Sequence, residues 1–256
     1  MEHITSRTNP LISLVRRLRD DRKTRRREGL FLCDGVKMLE EAIKWKAPLQ
    51  TVLLSEDLAD TPVPGGVRTV TIPGDLMRSV SPMEAPQGAL FLVKAPDLRP
   101  PDKLEGSRYL VLDGLQDPGN VGTILRSADA FGCDGVLLTN HCADPLNPKA
   151  VRATMGAIFR TPIWEVPAGA LCPLLEGSGL KLAATALGRN TVSLPDADLS
   201  RTALVIGSEG SGVSPDLLRQ CAATVRIPME PTCESLNAAA AAAVVLWELY
   251  RRDLTC

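Results

Sequence analysis

From residue 109 to the C-terminus, short apolar runs alternate with helical patterns, and that rhythm leaves few folds open. Strand signals fall at 109–112, 135–138, 180–184, 203–206 and 224–227. Helix signals fall near 121–131, 148–158, 171–175, 215–220 and, longest of all, 235–252. A run of four or five aliphatic residues is a strand buried on both faces, and strand–helix alternation predicts a parallel sheet with helices on both sides. The fold expected is therefore α/β. At 45% hydrophobic and 23% charged residues, the chain can bury a sizeable core. Its longest apolar run, 238–247, is ten residues, six of them Ala, too short to span a membrane.

The first hundred residues read differently. Helices are expected at 9–27, 35–46 and 74–80, with strands at 30–33, 51–54, 67–72 and 89–93, which makes a small α/β unit over 1–95. Three prolines and four charges crowd into 94–102. Proline lacks an amide donor and extends neither ladder nor helix, so 96–106 reads as a linker to a second domain, 107–256. Charge is segregated too. Between Arg7 and Arg27 stand nine basic residues against Asp20 and Asp21, an excess of seven positive charges in a chain whose net charge is −1. Leu11, Leu14, Val15 and Leu18 recur at helical spacing, so this stretch should fold and present its cations from an ordered surface, where guanidinium forks match phosphate geometry. Arg16, Arg17, Arg22, Lys23, Arg25, Arg26 and Arg27 are the candidate nucleic-acid contacts. The plainer reading is a solvated helix face. Aromatic residues are only 4% of the chain, so backbone contact should outweigh base stacking.

Seven cysteines without a C-x-x-C pair and two histidines, His3 and His141, support neither a disulfide framework nor structural zinc, and no metal is expected. The N-terminus shows no apolar signal segment, which makes a cytoplasmic protein the default. Two glycine-rich turns follow strands, where open α/β sheets bind ligands. One runs Asp113-Gly114-Leu115-Gln116-Asp117-Pro118-Gly119-Asn120-Val121-Gly122, the other Gly207-Ser208-Glu209-Gly210-Ser211-Gly212. Neither is G-x-G-x-x-G, and neither carries the G-K-[ST] of a phosphate loop. Asp134, 20 residues after Gly114, is what remains of a dinucleotide-binding alternative.

Asp117-Pro118-Gly119-Asn120-Val121-Gly122-Thr123-Ile124-Leu125-Arg126-Ser127-Ala128 resembles the first signature of the SpoU, or TrmH-like, RNA 2′-O-ribose methyltransferases. Residues 204–213 resemble the second. Ile227-Pro228-Met229 with Glu234-Ser235-Leu236-Asn237-Ala238-Ala239-Ala240 resembles the third. Gly29-Leu30-Phe31-Leu32-Cys33-Asp34-Gly35 and the helix with Glu40-Glu41-Ala42 are similar to the family's appended, ribosomal-protein-like RNA-binding domain. The resemblance implies a parallel-sheet catalytic domain tied in a deep trefoil knot, a homodimer through that domain, and S-adenosyl-L-methionine as cofactor. It places Gly207, Ile227 and Leu236, with the Thr185-Ala186-Leu187-Gly188 loop, around the cofactor. It assigns Asn120, Arg126, Glu209, Ser235 and Asn237 to the polar site. Ser208, Asp34, Ala238 and Ala239 depart from the family's usual residues without removing any of those five.

Methyl transfer from a sulfonium to a ribose hydroxyl needs no metal, because the cofactor supplies the leaving group. The protein has to position the reactants and manage the hydroxyl proton. A guanidinium stays protonated and is a poor base, so Arg126 is expected to stabilise a developing alkoxide while a substrate phosphate helps accept the proton. Asn120 and Ser235 are also good helix N-caps by type. Cys133, Cys142, Cys172, Cys221 and Cys233 read as small buried or surface residues rather than nucleophiles. Large-subunit ribosomal RNA is the expected substrate. Transfer RNA, and a catalytically silent RNA-binding protein on the same fold, are the alternatives.

Overall fold

The computed structural model describes residues 2–187 and 191–254. The chain divides into two compact units, one formed by Met1–Pro96 with Asp144–Arg160 and the other by Asp97–Ala143 with Thr161–Cys256.

In the first unit the elements are β1 (Glu2–His3), α1 (Pro10–Asp20), α2 (Arg22–Glu28), β2 (Leu30–Asp34), α3 (Val36–Lys44), β3 (Leu49–Ser55), β4 (Arg68–Ile72), α4 (Gly74–Val80) and β5 (Ala89–Lys94). They form a five-stranded sheet ordered β1-β4-β3-β5-β2. Strands β2 and β3 run antiparallel to β5, and β4 is parallel to both β3 and β1. Leu11, Ile12, Val15 and Leu18 of α1 pack with Leu30, Leu32, Val70 and Leu92 on one core. The single helix expected at 9–27 is two. Asp21 turns extended (φ −122°), and its carboxylate accepts from the backbone N–H of Lys23 at 3.0 Å and of Thr24 at 2.9 Å, which ends α1 and caps α2. Gly29 (φ +60°) closes α2 in the left-handed conformation.

The second unit begins with β6 (Arg108–Asp113), α5 (Pro118–Ala130) and β7 (Gly135–Thr139). The chain then supplies Asp144–Arg160 to the first unit. There α6 (Pro148–Ala153) packs on β2 and stops before Met155 (φ +48°) and Gly156 (φ +91°), short of the expected end at 158. Phe159 meets Phe31 with ring centroids 6.5 Å apart. Back in the second unit come β8 (Ile163–Glu165), α7 (Ala168–Gly177), β9 (Lys181–Thr185), β10 (Val192–Ser193), β11 (Thr202–Gly207), α8 (Pro215–Gln220), β12 (Ala223–Arg226) and α9 (Ala238–Leu254).

Its seven-stranded sheet is ordered β10-β12-β9-β11-β6-β7-β8 and parallel throughout, the α/β arrangement expected from the alternating pattern. Tyr109, Val111, Leu137, Leu182, Ala203 and Val205 face Leu171 and Leu175 of α7 and Leu217 of α8. The alternate positions Leu110, Leu112, Val136, Leu138, Leu204 and Ile206 are buried on the opposite face, as period two requires. Helices α5 and α9 contact each other and reach β7 and β11 there. Residues 97–106, expected to be a linker, are docked on this unit. The Leu98 carbonyl accepts from Glu165 N at 2.7 Å, and Leu104 is buried with its N–H on Ser178 Oγ at 2.9 Å. Among the described residues no helix is long and apolar enough to cross a membrane.

Candidate functional site

The three signature stretches converge at the carboxyl ends of β6, β9, β11 and β12. Asp117, not Asn120, caps α5: its carboxylate accepts from Gly119 N at 3.0 Å, and Pro118 occupies the first turn, where no amide donor is needed. Asn120 is thereby free to face outward. Its Nδ2 donates to Glu209 Oε1 at 2.6 Å, and its Oδ1 accepts from Asn237 Nδ2 at 3.2 Å. Asn237, not Ser235, caps α9, accepting from Ala239 N at 2.9 Å and Ala240 N at 3.3 Å, so that helix begins three residues later than expected. One short chain of hydrogen bonds thus ties a residue of each signature to the others. Its order, Asn237 to Asn120 to Glu209, leaves Glu209 Oε2 able to accept from a further donor.

Arg126 and Ser235 do not join this chain. Arg126 is exposed on α5, six residues beyond Asn120 and so about a third of a turn out of phase with it. Among the described residues it has no hydrogen-bond or ion-pair partner. Ser235 is exposed, and its carbonyl accepts from Cys233 Sγ at 3.3 Å.

A cleft of about 740 Å³ opens beside Glu209. Thr185, Ala186, Leu187, Gly207, Ile227 and Leu236, six of the seven residues expected around a cofactor, line it; Gly188 lies outside the described residues. Met229 and Glu234 line it as well. Both sit inside the third signature, and their types alone gave no reason to single them out. Gly207 explains itself sterically. A Cβ there would fall 2.0 Å from the Gly212 carbonyl carbon and 2.1 Å from Val213 N, because the loop folds back on its own start through paired Ser208 and Gly212 backbone bonds, both 3.0 Å. The cleft is in the size range of a nucleoside-like ligand. Among the described residues its lining carries two carboxylates, Glu209 and Glu234, and no Lys or Arg, which suits a ligand bearing positive charge.

Three of the cysteines are poor nucleophiles. Burial pushes the Cys133 and Cys142 thiols up to about 11, and that of Cys221 to about 12.

On the first unit, the basic stretch separates into two groups. Arg17, Arg22, Lys23, Arg26 and Arg27 are exposed, and Arg27 pairs with Glu28 at 2.9 Å. Arg16 is half-buried, with its guanidinium on Arg7 O at 3.0 Å and Ser79 Oγ at 3.2 Å. Arg25, expected among the RNA contacts, is instead 2% exposed. It reaches Asp144 Oδ2 at 2.7 and 2.9 Å and donates to Leu18 O at 2.6 Å. Its helix face points inward, and its charge is spent on holding 144–160.

The family model described as the SpoU rRNA Methylase family matches residues 107–247, and one described as the MRM3-like substrate binding domain matches residues 9–90. An uncharacterized tRNA/rRNA methyltransferase of Synechocystis sp. is 35% identical, the match covering 98% of this chain and 94% of that protein. The 23S rRNA (guanosine(2553)-2′-O)-methyltransferase RlmP of Bacillus subtilis is 31% identical over 97% of this chain and 99% of its own. The crystal structure of an AdoMet-bound rRNA methyltransferase from Sinorhizobium meliloti superposes with a TM-score of 0.85 at 30% identity, covering 99% of this chain and 98% of that one.

Proposed function

Because this chain belongs to the SpoU rRNA methylase family, we propose that it transfers a methyl group from S-adenosylmethionine to a ribose 2′-hydroxyl of structured RNA, with large-subunit ribosomal RNA as the substrate. The observation that carries this reading is the hydrogen-bonded chain Asn237–Asn120–Glu209 standing at the mouth of a cleft with two carboxylates and a glycine floor. The cofactor, when bound, supplies an electrophilic methyl on a sulfonium leaving group.

The rest falls to the protein. Gly207, Ile227 and Leu236, with the 185–188 loop, hold the cofactor mainly through backbone groups and apolar contact. Glu209, fixed by Asn120, presents Oε2 to the ribose hydroxyl and orients it. Arg126 carries a guanidinium without a partner among the described residues, so its charge is available to a developing alkoxide rather than spent on a carboxylate. A substrate phosphate helps take the proton, since the guanidinium does not. Ser235 and Asn237 fix the ribose and the adjacent backbone. The first unit binds the RNA through Arg16, Arg17, Arg22, Lys23, Arg26 and Arg27.

The deep trefoil knot is carried over from the family the chain belongs to. The homodimer is supported by α9, where Ala240, Val244 and Trp247 form an exposed stripe at helical spacing, Val244 39% and Trp247 47% accessible. A cytoplasmic location goes with a ribosomal RNA substrate.

The test is direct. The protein is incubated with methyl-labelled S-adenosylmethionine and unmodified ribosomal RNA, and the label is mapped after nuclease digestion. Label on ribose is the expected result; label confined to bases, or to transfer RNA when both RNAs are offered, refutes the reading.

A further inference from the structure

The carboxyl ends of β6, β7 and β11 frame a second crevice of about 640 Å³, lined among others by Asp113, Gln116, Asn140, Ser214, Arg219 and Gln220. It lies where the strand order reverses, with β7 and β8 on one side of β6 and β11 and β9 on the other. In open parallel sheets such a reversal leaves a gap beyond the strand ends, and ligands settle there. The cofactor cleft opens on the other side of the β11 end, toward the ends of β9 and β12 that carry Thr185 and Ile227. Gln116, Asn140 and Gln220, which line the crevice, have no role in the chemistry described so far. Only the loop bearing Glu209 separates the two spaces, and Ser208, Ser211 and Gly212 of that loop face both.

The walls are fixed by their own hydrogen bonds. Asp113, 2% exposed, accepts from Asn140 Nδ2 and from Ser214 N, each at 2.6 Å. Asn140 sits in the left-handed region (φ +50°) and also reaches Ser214 Oγ at 3.4 Å. Gln116 Nε2 spans the carbonyls of Gly114 at 2.8 Å and His141 at 3.2 Å, and Gln220 Nε2 donates to Asp216 O at 2.8 Å. With both amide hydrogens of Gln116 and Asn140 engaged and one of Gln220 on Asp216 O, the carboxamide oxygens of all three remain to accept from a ligand. Among the described residues Arg219 is the one lining cation; it is bonded to Asp216, and Asp113 adds a further negative charge. Such walls offer a phosphate no cation that is not already paired with a carboxylate. They suit a neutral, planar group that offers N–H donors along one edge.

We propose that this crevice receives an unstacked nucleobase of the RNA, beside the ribose presented to Glu209, and that Gln116 and Gln220 accept from its exocyclic amine. The proposal deepens the ribose-methylation reading and rests on it. It assigns base selection to the second unit, apart from the basic helices, and favours guanine, adenine or cytosine over uracil.

The experiment titrates the full chain with guanosine, adenosine, cytidine and uridine in turn and follows side-chain amide NMR signals. It is paired with steady-state kinetics of a Gln116→Ala/Gln220→Ala variant on a ribosomal RNA transcript. Amine-bearing nucleosides should shift the amides of Gln116, Asn140 and Gln220, with uridine much weaker. The variant should raise KM for the transcript about ten-fold or more, while its affinity for S-adenosylmethionine and its melting temperature stay unchanged. Absence of shifts with all four nucleosides, equal shifts with uridine, or an unaltered KM overturns the assignment. If the wild-type chain methylates no ribose at all while the nucleoside shifts persist, the fault lies in the ribose reading rather than in the crevice.

Discussion

At the scale of single residues, Gly207 and Arg126 make the sharpest demands, for opposite reasons. Gly207 is constrained by space: Gly207→Ala drives a methyl group into the Gly212–Val213 backbone, which has no flexible end to give way. The 208–213 loop must then move. The expected outcome is loss of S-adenosylmethionine affinity by more than ten-fold in calorimetry, with most of the fold intact. Arg126 is constrained by charge. Arg126→Ala is expected to lower turnover by about a hundred-fold or more in single-turnover assays while leaving cofactor affinity within a few-fold, because the guanidinium lies outside the cleft lining. A near-normal rate would remove Arg126 from the mechanism. The candidate residues were legible in the sequence because they stand in three co-linear signatures. Their mutual bonding was not. Nothing in residue type says that Asp117 rather than Asn120 caps α5, and only that assignment leaves the Asn120 amide free for Glu209 and Asn237.

At the scale of elements, the basic stretch shows where local pattern stops informing. Its apolar stripe correctly placed α1 against the sheet, yet a charged run gives no sign of an interruption, so the break at Asp21 was invisible. So was the difference between Arg25 and Arg26, adjacent and chemically identical, since the partner of Arg25 lies 119 residues away. The two positions should now behave differently. Arg25→Ala strands Asp144 in a buried site and is expected to cost about 3–5 kcal/mol in denaturant unfolding, because a lone buried charge is worse than a pair. Reversing charge at Arg26 and Arg27 should leave stability nearly unchanged but weaken RNA binding and flatten its dependence on salt, since fewer counterions are released. An unchanged salt slope would mean that α2 faces away from the RNA. Strands fared better than helices: apolar runs located β6, β7, β9 and β11, because strands buried on both faces announce themselves by composition alone, whereas β12, with only Val225 buried, was placed by its position in the alternation. The three-residue β8 is too short to leave that mark.

At the scale of the molecule, membership of a unit is a tertiary property, and the sequence misled there. Isolated Leu98 and Leu104 among prolines look like linker, but both are buried. Residues 144–160 look like one more helix of the parallel-sheet unit, but they complete the other. The thiols give a global readout of this packing. Alkylation requires the thiolate, so burial that raises a thiol to about 11 leaves roughly one part in a thousand reactive at pH 8. Native protein at that pH should be modified at exposed Cys233 and spared at Cys133 and Cys142 until it is unfolded, as peptide mass mapping would show. A chain shortened to 97–256 should fare poorly, binding hydrophobic dye through the stranded surface of 144–160, which has lost Phe31 and Arg25. The same interleaving bears on ancestry. Since the backbone leaves the parallel-sheet unit and re-enters it, no single crossover between genes can exchange the front module for another intact. A graft of a new front module must therefore bring matching changes in 144–160, at Asp144 and Phe159 first.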